Sequence, residues 1–339
     1  MLIFTNCLSE TPDEGCLRVA NAIIKRIKNI NPDVTVVSYE RRSAITDDFV
    51  SSNKLILTKD IIKTVRKEKG RILYVPFPAR SSATALRIFI LSLLAAEKIQ
   101  VILSQVTDIG FVAKLLLKLC KAEFIVLSND TQTKLSAVVG AKRVRRIKAG
   151  VDTNRFVPVT KQRSAGLKKK YGFDSDKPVV LHVGHLNSGR NVGQLAKISA
   201  DFQVLLVTST LTKDEQDAEL KSELTSCPNI KIIDYFLPDI EEVYQLSDVY
   251  FFPVKEEGRC IDSPLSCLEA ASCNKPVVTT DFGEMKEFKG KNGFWFIESF
   301  EPDEINRLIK TACDFADINT RACVAEYDWN HAVKTIFRR

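Results

Sequence analysis

The chain has 339 residues, 45% hydrophobic and 27% charged, which excludes a disordered chain and leaves room for two domains. Its net charge of +7 is unevenly held: residues 1–150 carry 25 Lys and Arg against 13 Asp and Glu (+12), and residues 151–339 carry 24 against 29 (−5). A basic first half and an acidic second half imply different partners for each, with nucleic acid, an anionic membrane surface or an anionic acceptor as candidates for the basic half.

The first residues, MLIFTNCLSETPDEG, lack the basic region and long apolar run of a signal peptide, and the longest uncharged apolar stretch, 88–96, is too short to cross a membrane. Nine cysteines without a C-x-x-C pair read as reduced thiols, and the spacing of Cys260, Cys267 and Cys273 does not suit a metal. The expectation is a cytoplasmic protein, soluble or peripheral at the inner face of the membrane.

In chain order, short apolar runs predict strands at 2–5, 34–37, 54–57, 72–75, 101–103, 124–127 and 146–148. Helical patterns fall between them at 16–27, 83–97, 111–120 and 131–139. After a Gly-, Pro- and polar-rich passage at 149–164, strands recur at 179–183, 204–208, 230–233, 249–252, 277–279 and 294–296. Unbroken apolar runs separated by amphipathic segments imply buried parallel strands in βαβ units, and two such series imply two doubly wound domains. The expected boundaries are 1–158, 159–325 and a final helical segment, 326–339, returning toward the first domain. Ligands of such sheets bind beyond the C-terminal strand ends, so the loops after strands hold the candidate chemistry.

Asp13, Glu14 and Gly15 follow the first strand and open the first helix. Either the acidic groups there simply complement the helix dipole, or Gly15 lets a substrate approach the backbone. Lys114, Lys118 and Lys121 recur at helical spacing beside Leu115–Leu117 and Leu119, and Arg80 and Arg87 flank the apolar 88–94 run. This pattern suits either attachment to anionic lipid or an ordinary helix with one solvated face. The segment GHLNSGRNVGQL follows the strand at 179–183 and departs from a P-loop, because Gly189 is followed by Arg-Asn. Read as a glycine turn entering a helix with Arg190 at its mouth, it suits phosphate. IDSPLSCLEAASCNKPVV, from Ile261, runs from a Ser/Pro loop into a short helix bearing one carboxylate, Glu269. Either this is an ordinary buried helix of an α/β sheet with Glu269 at its edge, or its start suits a phosphate and the Glu suits sugar hydroxyls. No Ser-His-Asp arrangement, nucleic-acid motif or His-based metal site is apparent.

Four segments in order resemble the group 1 family of retaining, nucleotide-sugar-dependent glycosyltransferases of the GT-B fold. VVLHVGHLNSGRNVGQL resembles the family's strand-Gly-Arg-Leu-x-x-x-Lys-Gly segment, and SNDTQTKLSAVVGAKRVRRIKAGVDTNRFVPV its Ile-x-x-Gly-Val-Asp…Phe-x-Pro passage. IDSPLSCLEAASCNKPVVTTDFGEMKEFKGKNGFWF resembles its Glu-x7-Glu loop and the Gly-x-x-Glu…Asn-Gly turn that follows, and YDWNHAVKTI its closing Trp-containing helix. The resemblance implies two Rossmann-like doubly wound parallel-sheet domains facing across a cleft, the first for the acceptor and the second for the donor. It implies transfer of a hexose-type sugar from a nucleoside diphosphate sugar to a glycan, lipid-linked or small-molecule acceptor, with retention and without a metal or other cofactor. Matched position by position, Glu269 takes the ribose, Arg190 the donor phosphate, and His185 shares its turn, which Gly184 opens. Leu265 and Ser266 offer backbone N–H groups to the diphosphate. Glu14, Gly15 and Asp108 face the acceptor.

The chain departs from the family at two places. The first Glu of the pair falls on Ile261, so Asp262 is expected to supply that carboxylate, and with Arg190 it makes up the expected catalytic pair. No His precedes residue 182, which leaves Gln105, Thr107 or Asp108 for the acceptor-side polar role. These departures keep a non-catalytic sugar- or partner-binding subunit and a nucleotide-sugar epimerase as alternatives.

Overall fold

The computed structural model describes residues 1–52, 58–77, 82–105, 109–209 and 216–337. The strand expected at 54–57, together with Arg80, Thr107 and Asp108, lies outside them. The described residues form two compact units: residues 1–149 with the chain from Trp329 onward, and Gly150–Asp328.

Unit 1 is a seven-stranded parallel sheet in the order β3-β2-β1-β4-β5-β6-β7. Its strands are β1 (Leu2–Thr5), β2 (Thr35–Ser38), β3 (Asp48–Phe49), β4 (Ile72–Val75), β5 (Ile99–Leu103), β6 (Ala122–Val126) and β7 (Val144–Arg146). Every residue of β1 and β4 is buried, which explains their unbroken apolar runs: both sheet faces are covered. Helices α2 (Lys59–Lys67), α3 (Ser82–Leu94), α4 (Phe111–Leu119) and α5 (Asn129–Val139) pack into a single core on one face. Helix α1 (Gly15–Ile30) packs with the last helix, α12 (Trp329–Phe337), which Arg145 also holds through the Ile336 carbonyl.

The two-residue edge strand β3 carries no apolar pattern and was not expected. β7 begins two residues before the predicted 146–148. Val144 is buried, while the Arg143 guanidinium donates to the carbonyls of Leu117, Lys118 and Cys120 that end α4.

Unit 2 is a six-stranded parallel sheet in the order β10-β9-β8-β11-β12-β13, built from β8 (Val179–Gly184), β9 (Gln203–Thr208), β10 (Ile230–Ile233), β11 (Val249–Phe252), β12 (Val277–Thr279) and β13 (Phe294–Phe296). Helices α6 (Lys161–Lys170), α7 (Ala218–Ser226), α8 (Glu241–Leu246), α9 (Leu265–Ser272), α10 (Pro302–Asp314) and α11 (Thr320–Cys323) surround it. Pro302 opens α10 with Asp303 and Glu304 in its first turn, where a missing N–H and negative charge are both favourable. The helix expected after β8 is instead two 3-10 turns, Ser188–Arg190 and Val192–Lys197. Asn191 lies between them in the left-handed region (φ 58°), which breaks an α-helical path.

In each sheet the strand order reverses once, between β1 and β4 in unit 1 and between β8 and β11 in unit 2. The loops leaving those strands flank the crevice where open α/β sheets take ligands.

Candidate functional site

In unit 2 the loop after β8 carries Gly184, His185 and Arg190, and the loop after β11 leads through Arg259 and Asp262 to α9. Asn187 shapes the first loop, its side-chain oxygen accepting from the Arg190 N–H at 3.1 Å. Arg190 Nε donates to the Arg259 carbonyl at 2.8 Å, joining the two loops across the reversal point. A Cβ on Gly184 would meet Arg190 Nη1 at 3.0 Å and His182 Nε2 at 2.9 Å, so a glycine is what lets the guanidinium lie against the strand end. A Cβ on Gly189 would meet Arg259 Nε at 2.5 Å, so a second guanidinium crosses the same turn. Arg259 was not singled out in the sequence; its signal is the bare glycine at 189, which makes room for it.

The two histidines bring no charge here. His182 is fully buried, with Nδ1 on the Phe251 carbonyl at 2.8 Å and Nε2 unpartnered; burial, then Arg190, hold its pKa down to about 4. The same causes in the same order bring His185 to about 3. Positive charge at this turn therefore rests on Arg190 and on Arg259, whose Nε also donates to Glu256 Oε2 at 3.1 Å.

Helix α9 begins after Pro264, whose carbonyl accepts from Cys267 and Leu268. The N–H groups of Leu265 and Ser266 precede any intrahelical acceptor and point out of the helix start. Glu269, one turn on, is 3% exposed, and Tyr244 Oη donates to its Oε2 at 2.7 Å. Tyr244, on α8, is wedged between the rings of Phe156 and Tyr250 and so fixes the carboxylate. The Tyr250 hydroxyl, pushed up by burial, meets both the Val183 backbone and the Ser266 side chain, tying β8 to the start of α9.

Ile261 is buried in the interior, and Asp262, the next residue on the loop, is half-buried at its rim. The Asp262 carbonyl accepts from Glu284 N at 2.7 Å, against Gly283 with φ +53°. Gly184, His185, Arg190, Asp262, Leu265, Ser266 and Glu269 thus all belong to the loops and helix at one sheet's reversal point.

In unit 1, Glu14 caps α1 and Gly15 is its first residue, at the end of the loop leaving β1. Asp108 lies outside the described residues. The loops after β1 and β4 are clasped by an amide: Asn6 Nδ2 donates to the Phe77 carbonyl at 2.6 Å, and Phe77 N donates to Asn6 Oδ1 at 2.8 Å. Asn6 also donates to Glu40 at 3.0 Å. Glu40 holds a left-handed backbone (φ 69°), a conformation that costs a non-glycine residue about 1 kcal/mol or more. Arg87 approaches the Glu40 carboxylate at 3.8 Å and lies over Tyr39, whose hydroxyl bonds that of Tyr74 at 2.7 Å. This polar group at the sheet's reversal point, buried except for the exposed Glu40, was not anticipated, because Asn6, Tyr39, Tyr74 and Arg87 come from four separate segments.

Among the described residues no group of three His, Cys, Asp or Glu side chains could hold a metal ion. None of their helices is long and apolar enough to cross a membrane.

Residues 177–314 match the family described as glycosyl transferases group 1. A Bacillus subtilis protein named as a glycosyltransferase, EpsD, is 28% identical over 153 residues, 43% of this chain and 39% of its own. A GDP-mannose-dependent mannosyltransferase of Corynebacterium glutamicum, acting on a monoacylated phosphatidylinositol monomannoside, is 24% identical over 196 residues, 54% of this chain and 50% of its own. This chain thus spans half or less of the length of these two relatives. The crystal structure of Anabaena HepE with UDP and glucose superposes with a TM-score of 0.76 over 99% of this chain and 97% of that one, at 17% identity. The architecture is GT-B: two Rossmann-like, doubly wound parallel-sheet domains.

Proposed function

We propose that this chain, whose residues 177–314 match the group 1 glycosyl transferases, moves a hexose-type sugar from a nucleoside diphosphate sugar to a glycan, lipid-linked or small-molecule acceptor, with retention. One observation carries this reading: two guanidinium groups, a glycine turn, a helix start and a fixed carboxylate meet at the reversal point of the second sheet. A diphosphate needs positive charge and N–H donors, and a ribose needs a hydrogen-bond acceptor; this set supplies each. Arg190, Arg259 and the Leu265–Ser266 N–H groups take the diphosphate, Glu269 the ribose and Asp262 a sugar hydroxyl. Gly184 and His185 complete the turn beneath the phosphates.

In the reaction, the bond from the sugar C1 to the donor phosphate oxygen breaks and the acceptor oxygen bonds C1 on the same face. The acceptor proton passes to the departing phosphate oxygen. Side chains therefore need only orient the reactants and stabilise the charge that develops on the phosphate. In this reading the arginine pair and the helix start take the place of a metal, and no cofactor is required. The acceptor belongs to unit 1, beside Glu14, Gly15 and the Asn6–Glu40–Arg87 group; Asp108 is assigned to the same side.

The test is thermal shift with UDP-, GDP-, ADP- and TDP-sugars, then transfer from whichever donor stabilises the protein. HepE crystallises with UDP, and the Corynebacterium relative uses GDP-mannose, so both bases belong in the panel. A flat response to every donor overturns the reading. The burial of Ile261 favours one rival, a non-catalytic binding subunit, which donor binding without turnover across an acceptor panel would establish. Altered sugar or free nucleotide released without an acceptor would instead mark an epimerase.

A further inference from the structure

We propose that the outer face of α4, with α3 beside it, docks the protein onto an anionic lipid surface. The residues of α4, FVAKLLLKL, divide cleanly by helical spacing. Ala113, Leu117 and the following Cys120 face the core. On a surface helix of a globular protein the opposite face is polar. Here Phe111, Leu115 and Leu119, spaced i, i+4, i+8, form an apolar row on that opposite face. Phe111 is 83% exposed, and Leu115, Leu119 and the adjacent Val112 are each half or more exposed. Lys114, Lys118 and Lys121 form a second exposed row alongside the first. Among the described residues none of the three pairs with a carboxylate. α3 packs against α4 and adds Leu93, itself 57% exposed.

An apolar row beside a lysine row on one solvent face is the arrangement of a helix lying in the plane of a membrane interface. The hydrocarbon side enters the acyl boundary and the ammonium groups meet anionic headgroups. The charge matches: residues 1–150, which contain both helices, carry +12. The nine residues of α4 are too few to span, so contact is in-plane. An anionic bilayer supplies both the apolar layer and the opposite charge in one surface. This inference stands apart from the transfer reaction, since none of these residues belongs to the candidate site.

The experiment is flotation of the full chain with vesicles of phosphatidylcholine alone or mixed with phosphatidylglycerol, at low and high salt. The wild type is expected to float with the mixed vesicles, less at high salt, and to stay behind with phosphatidylcholine alone. Lys114→Glu with Lys118→Glu, and separately Phe111→Ser with Leu115→Ser, should each weaken flotation about tenfold or more. Circular dichroism and melting check the fold; the lysine variant, changed only at exposed positions, decides if the serine variant unfolds. A wild type that never floats, or variants that float like it, overturns the proposal. So does self-association that Phe111→Ser abolishes, which would assign the face to a second copy. Donor thermal shifts are run on the same samples. Flotation without donor binding leaves this proposal standing and removes the transferase reading; donor binding without flotation does the reverse.

Discussion

Arg259 crosses directly over Gly189, so that a Cβ at 189 would sit 2.5 Å from its Nε. The obstructed atoms belong to a flexible side chain, and Gly189 does not use a left-handed backbone. Gly189→Ala should therefore leave the melting temperature within a few degrees and push Arg259 aside. Donor affinity should then fall as far in Gly189→Ala as in Arg259→Ala, and the double variant should lose no more than either, because both remove one guanidinium. Donor titration of the three variants by calorimetry checks this.

Gly283→Ala should behave oppositely. Its Cβ would run into the Asp262 backbone carbonyl, and its φ of +53° strains any L residue. Backbone atoms cannot swing away, so a loss of about 3 kcal/mol or more in chemical denaturation is expected.

Arg190→Ala should lower turnover roughly 10²-fold or more if the guanidinium stabilises charge on the departing phosphate. Near-normal turnover would remove Arg190 from the reaction, whatever its effect on affinity.

Tyr244→Phe takes the 2.7 Å donor from a buried carboxylate. The expected cost is about 1–3 kcal/mol in unfolding free energy, with weaker nucleotide affinity because Glu269 is no longer fixed. Unchanged affinity would separate Glu269 from ribose recognition.

Stability should decline with acidification through the histidines. Above pH 6.5 His182 is neutral in both folded and unfolded chains and contributes no difference. As pH falls from 6.5 toward the folded value of about 4, the unfolded chain takes up a proton that the folded one refuses, so stability is lost over that window. The loss from His182 is about 3 kcal/mol, and His185 adds to it in the same direction. Denaturant unfolding from pH 7 to 4 of the wild type and His182→Asn should show the flatter profile in the variant.

The parallel sheets were legible because strands buried on both faces are written as unbroken apolar runs; Val249–Phe252 and Val277–Thr279 lie where those runs place them. What escaped was written in contacts between distant segments. The left-handed Asn191 that turns an expected helix into 3-10 turns looks in sequence like any helical Asn. Arg259 sits in a loop with no periodicity and becomes visible only through the glycine under it. The Asn6–Phe77 clasp joins residues 71 positions apart, a pairing set by strand order and invisible in local spacing.

Unit 2 is one uninterrupted stretch of chain, its two ends joined by the Val151–Asp328 bridge and by Thr153 Oγ1 donating to Asp328. Unit 1 is interrupted, because α12 completes it after all of unit 2 has passed. During synthesis the acidic half can therefore close its core while the basic half still waits for Trp329, Val333 and Ile336 to cover α1. A segment that follows the second domain in the sequence finishes the first.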